Sequence, residues 1–201
     1  YSCEAMEATP FRGVFINVGH GAQVNWQGSQ RHAEGVTAFE HKRFVLAAGA
    51  KLNYFQHVLG GAATFEATLI ELEGENSEAF SQIVFFGHGD QQQEMRVNHI
   101  HVGRNSKSQM VSKGAVSDTS HGSFLGMIQM EPGCSGSDAN LVEHNLLLSS
   151  GAKIDAVPGL EIGHHDVKAG HAAYMERVDE EKLFYAAARG IPDREAMELI
   201  V

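Results

Sequence analysis

Up to about Val178 the apolar positions almost never recur at helical spacing. They fall instead in short runs: GVFINV, KRFVLAA, KLNYF, ATFEATLIEL, QIVFF, EMRVNHIHV, SQMVSKGAV, SFLGMIQM and LVEHNLLL. In many of these runs apolar and polar residues alternate, the period of a strand with one buried face. Glycine separates the runs, and a small marker recurs, Gly-Ala followed one residue later by an apolar or β-branched residue: GAQV at Gly21, GAKL at Gly49, GAAT at Gly61 and GAKI at Gly151. Many short strands with turn signals fit a sandwich, a barrel or a β-solenoid. A repeated corner marker favours the solenoid, in which every coil reuses the same turn.

After Val178 the pattern changes. Asp179 is a good N-cap, and Glu180 and Glu181 suit the positive end of a helix dipole. Leu183, Phe184, Ala187 and Ala188 share one helical face, and Gly190 is a natural stop. Pro192 and Asp193 then open a second helical pattern with Ala196, Met197 and Ile200 on one side. The expected architecture is a β domain over residues 1–178 and a helical hairpin begun by residues 179–201. The sequence opens at Tyr1 and ends inside a helical pattern at Val201, so it reads as a piece of a longer protein.

Charge narrows the partners. Fifteen Lys and Arg against 25 Asp and Glu give a formal charge of −10. Such a chain does not hold a phosphate backbone by charge, so neither nucleic acid nor an anionic membrane is an expected partner. No apolar run reaches the length of a membrane span. The two cysteines, Cys3 and Cys134, form no framework, which fits the cytoplasm.

The 12 histidines are scattered, and each candidate has a plain structural alternative. His99 and His101 form an H-x-H pair that shares one strand face, but no acid follows it. The expected role is hydrogen bonding on a solvated strand face. His164 and His165 are adjacent and would face opposite ways on a strand. His171 would share a face with His165 if that strand were regular. GHGD near His88 lacks a nucleophile, GCSGSD at Gly133 lacks the strand-to-helix turn of a nucleophile elbow, and no Walker sequence is present.

Two blocks go further. One reads NLLLSSGAKIDAVPGLEI, then DVKAGHAA, then DEEKLFYAAARGI; the other reads HVGRNSKSQMVSKGAV. Together they resemble the SufB/SufD family of iron–sulfur cluster assembly proteins over roughly residues 83–201, and LLLS, LEI and DVK look most like SufD. The resemblance implies a right-handed parallel β-helix followed by terminal helices. It implies a non-enzymatic scaffold that works with a SufB-type subunit, or a second copy, and with the ABC-type ATPase SufC.

The functional histidine of SufD-type chains falls on His171, which makes it the candidate iron or cluster ligand. The cysteine often found two residues earlier is Ala169 here. The cluster-building cysteine of SufB-type chains is replaced by Glu143, and the glutamate after the histidine by Ala172. Clusters are held chiefly by cysteine thiolates, with histidine as a substitute. A transient iron–sulfur cluster would therefore need thiolates from a partner subunit, with His171 adding an imidazole. Leu183, Phe184, Tyr185 and Ile191 are the expected anchors for the ATPase. A SufB-like homodimer is the alternative within the family, and a β-helix carbohydrate-active enzyme is the alternative outside it.

Overall fold

The computed structural model describes residues 9–178, 180–192 and 195, without the side chains of residues 180–183. Twelve strands follow one another: β1 (Phe11–Val18), β2 (Gln23–Gln30), β3 (Thr37–Leu46), β4 (Lys51–Val58), β5 (Ala63–Leu72), β6 (Glu78–Gly87), β7 (Gln92–His101), β8 (Lys107–Val116), β9 (His121–Met130), β10 (Asp138–Leu147), β11 (Lys153–Ile162) and β12 (Lys168–Arg177). Odd strands form one six-stranded sheet in the order β1-β3-β5-β7-β9-β11, and even strands form the other in the order β2-β4-β6-β8-β10-β12. Every pairing is parallel. The fold is thus a parallel β-solenoid of about six coils, with one strand from each sheet in each coil.

The corners explain the Gly-Ala markers. Gly21, Gly49, Asn76, Asn105 and Gly136 all have positive φ, from 55° to 77°. Each donates its backbone N–H to a carbonyl of the next coil: Gly21 to Ala48, Gly49 to Glu75, Asn76 to Arg104, Asn105 to Ser135 and Gly136 to Asp166, at 2.8–2.9 Å. Only glycine, or an Asn or Asp tolerant of the left-handed region, fits such a stack. The residue after each is small; Ala22 in the first coil is exposed, while Ala50, Ser77, Ser106 and Ser137 are buried. Gly61 and Gly151 belong to the opposite corner stack, so the four markers come from two stacks and are unevenly spaced.

Alternation within strands decides what is enclosed. Phe44 packs edge-on against Trp26 and Tyr54, with ring centroids 5.6 and 5.5 Å apart. Phe85 occupies the space that Gly114 and Gly122 leave, since a Cβ at Gly114 would lie 2.0 Å from its ring. The interior also holds charge. Lys42 lies between Glu40, at 2.7 Å, and Glu66, all three buried. The Tyr54 hydroxyl donates to Glu66 at 3.2 Å and lies 2.9 Å from Thr68. Burial raises the Glu66 pKa and the neighbouring Lys42 opposes that rise.

Outside, Lys51, Glu78, Lys107, Asp138 and Lys168 stand in register across the even sheet with alternating sign. The Lys51–Glu78 pair, 3.0 Å apart, is half exposed. Such pairs add little stability each, and a slip of register would oppose like charges.

The chain beyond β12 departs from expectation. One short helix, α1 (Glu180–Ala187), is present among the described residues. It ends in a Schellman cap: Gly190, at φ 79°, donates to Ala187 at 2.9 Å, and Ile191 donates to Ala186 at 3.1 Å. The helical hairpin is therefore not seen. Its expected second arm falls on residues 193–201, which apart from residue 195 lie outside the described residues, as does the expected N-cap Asp179. Among the described residues no helix is long and apolar enough to cross a membrane.

Candidate functional site

Among the described residues the sixth coil is the last, and within them no further coil covers the inward side chains of β11 and β12. In the inner coils that register is closed: Leu141 and Glu143 on β10 are fully buried. On β12 their register partners His171 and Ala173 are both exposed, and Met175 is 47 % exposed. His171 thus projects at the mouth of the solenoid, directly over Leu141. Its neighbours Gly170, Ala172 and Ala173 are small, so another backbone or a bulky inorganic group could come close.

One layer below the mouth is a polar group. Glu143 is wholly buried, and both its carboxylate oxygens lack a hydrogen-bond partner among the described residues. Its register partner on β8 is Ser112, whose hydroxyl is also unpartnered. Asn145, the next inward residue on β10, has neither amide atom satisfied. Burial pushes the Glu143 carboxyl up to about 7, and Asn145 beside it offsets that only in part. An uncompensated buried carboxylate is costly, so the group holds its proton to near neutrality. The sequence marks Glu143 only as the residue in the place of a cysteine. Ser112 and Asn145 carry no sequence signal, because the strings around them do not say which residues face inward.

Two expectations about histidines change. His99 and His101 do share a strand face, but that face is the solenoid interior, and both are fully buried. His99 Nε2 lies 2.9 Å from the Ser81 hydroxyl, while His101 Nδ1 lies 2.8 Å from the Ser106 hydroxyl and Nε2 2.8 Å from that of Ser108. Burial, with His101 adjacent, lowers the His99 pKa to about 3, and burial lowers that of His101 to about 4. Both rings are neutral at physiological pH. β7 does have one wet face, which carries Gln92 and Arg96, but His99 and His101 lie on the other, over which the opposite sheet closes.

His164 and His165 lie in the corner between β11 and β12, not on a strand. Their rings stack at 4.9 Å, and the Asp166 N–H donates to His164 Nδ1 at 3.0 Å. The corner also removes the shared face expected for His165 and His171. Among the described residues no three His, Cys, Asp or Glu side chains converge to hold a metal ion. The described cysteine, Cys134, is buried with its Sγ 3.8 Å from Met130 Sδ.

The tail residues divide. Phe184 and Tyr185 are 76 % and 59 % exposed, with the Arg189 guanidinium 3.4 Å from the Tyr185 ring centroid. Ile191 is half-buried and closes the helix cap. The Leu183 side chain lies outside the described residues.

Comparison with known proteins places this geometry. The family model for the SUF system FeS cluster assembly SufBD core domain matches residues 2–201. The chain is 30 % identical over 187 residues to the iron–sulfur cluster assembly protein SufD of Bacillus subtilis, covering 92 % of this chain and 43 % of that protein. Against SufD of Escherichia coli it is 31 % identical over 197 residues, 97 % of this chain and 47 % of that protein. Against a SufBD family protein of Mycobacterium tuberculosis it is 29 % identical over 188 residues, 94 % of this chain and 22 % of that protein. The chain thus spans less than half the length of each of these relatives. The match also extends well before residue 83, where the sequence shows only alternation.

Proposed function

The chain belongs to the SUF-system SufBD core family, and from that membership we propose that it is the core of a SufD-like scaffold subunit for iron–sulfur cluster assembly. In this reading it works in the cytoplasm, in a complex with a SufB-type subunit and a SufC-type ABC ATPase. It is a scaffold, not an enzyme. The cluster is transient, and its ligands are shared across a subunit interface at the open end of the solenoid. A right-handed winding belongs to the same proposal, being the hand that parallel crossover connections overwhelmingly take.

The observation that carries the reading is the exposure of His171 on the inward register of the last coil. A neutral imidazole there can ligate iron, and no thiolate of the described chain stands beside it. Thiolates then come from the partner. The cluster-building cysteine position carries Glu143, which favours a SufD-like over a SufB-like role. Family membership lends no support to the carbohydrate-active alternative. The exposed Phe184 and Tyr185 suit a contact with the ATPase, since a helix of eight residues needs tertiary partners.

The test is to purify the full-length protein with its SufB-type and SufC-type partners. Iron and sulfide content are then compared for the wild type, His171→Ala and His165→Ala. Loss of loading in His171→Ala alone supports the reading; equal loading in all three sinks it.

A further inference from the structure

Ser112, Glu143 and Asn145 are 0, 0 and 3 % exposed. Between them they hold five buried polar atoms without a hydrogen-bond partner among the described residues: the Ser112 hydroxyl, both Glu143 oxygens and both Asn145 amide atoms. Buried polar atoms are satisfied in the great majority of cases, so five in one place call for a common occupant. The geometry points to a divalent-cation pocket between the fourth and fifth coils, which takes hydrated Fe2+ as cargo through the Glu143 carboxylate, with Asn145 Oδ1, Ser112 Oγ and water as further donors.

Three features select that chemistry. The donors are all oxygens, which suit hard divalent cations and not a soft thiophilic ion. Once ionised, the Glu143 carboxylate has no nearby counter-ion among the described residues. The inward residues of β8 are Ser108, Met110, Ser112, Gly114 and Val116; those of β9 and β11 are equally uncharged. On β12 the inward position nearest Glu143 is Ala173, and Arg177 stands two inward positions further along. A carboxylate in that setting repels sulfide or a persulfide and attracts a metal ion. On the even sheet only the small Ala173 stands above Glu143. The iron identity rests on the SUF reading above; the cation site does not.

The experiment uses the full-length protein stripped of metal, with Mn2+ alone as a redox-stable probe followed by electron paramagnetic resonance. Anaerobic Fe2+ competition follows. Wild type is expected to bind one Mn2+ that Glu143→Gln does not, and Fe2+ should displace it. Asn145→Asp, which adds a second carboxylate, should bind Mn2+ at least about 10-fold more tightly than wild type, since ligand charge count tunes affinity at all-oxygen sites. His121→Ala, on the outer face, should match wild type. If wild type and Glu143→Gln bind Mn2+ alike, or Asn145→Asp gains nothing, the pocket holds water only and the inference falls. Failure of the SUF reading would show separately, as loss of co-purification with the ATPase while Mn2+ binding persists.

Discussion

Glu143→Gln removes one ionisable group from the solenoid interior and leaves its shape unchanged. In the folded chain the carboxyl titrates at about 7, against an ordinary value of 4.5. A carboxyl with a raised folded pKa binds more protons in the native than in the unfolded state between those two values. Stability therefore falls as pH rises through that window. Below 4.5 both states are protonated and the cost is absent; above 7 it is fully developed. At 1.36 kcal/mol per unit the cost approaches about 3 kcal/mol as an upper figure. Glutamine carries no such cost. In metal-chelated protein the two variants should unfold alike at pH 4.5–5. At pH 8 Glu143→Gln should be more stable by about 2–3 kcal/mol, or roughly 4–12 °C in Tm for a domain of this size. The assay is denaturant unfolding of both proteins at the two pH values. A gap independent of pH, or a wild type that is the more stable at pH 8, would refute the assignment of a buried, uncompensated carboxyl.

His99 and His101 give the opposite sign: their pKa values are lowered to about 3 and about 4, so stability present above pH 6.5 is lost as pH falls towards 4, by about 3–5 kcal/mol for each ring. Acid unfolding monitored by circular dichroism should shift to lower pH when His99 is replaced by glutamine. Gly114→Ala places a Cβ 2.0 Å from the Phe85 ring and should destabilise by about 1–3 kcal/mol or more; pairing it with Phe85→Leu should restore much of the loss, and an unchanged melting temperature in the single variant would contradict the packing. His171→Ala, at an exposed position, should change stability by no more than about 0.5 kcal/mol, so an early melt would make it a structural residue. A full-length variant carrying Phe184→Ala and Tyr185→Ala should lose affinity for the SufC-type ATPase in a pull-down while its β-type circular dichroism is unchanged.

Much of the solenoid is legible because two local rules repeat. Alternation marks the strands, and Gly21 and Gly49 mark the first corners. The middle corners are hidden because Asn76, Asn105 and Asp118 adopt the left-handed conformation in place of glycine. Their side chains make that conformation tolerable, but asparagine in a sequence does not announce it. Period two also leaves the inward set undetermined when both faces carry polar residues. Lys42, Glu66, His99 and Glu143 are all interior, against the ordinary expectation that charged and titratable residues face water. What settles their side is the register between coils, which a single strand does not contain. His171 could be singled out only through the family resemblance, since one histidine among 12 has no distinguishing local pattern.

The claim that the open end of this solenoid contributes to cluster assembly is tested most directly by one determination. The full-length protein is reconstituted with its SufB-type subunit and SufC-type ATPase, supplied with iron and sulfide under reducing conditions, and assayed for bound iron and acid-labile sulfide. The wild-type complex should carry a cluster, and the His171→Ala complex should assemble intact but carry little iron or sulfide. A His171→Ala complex that loads as fully as wild type would contradict the account.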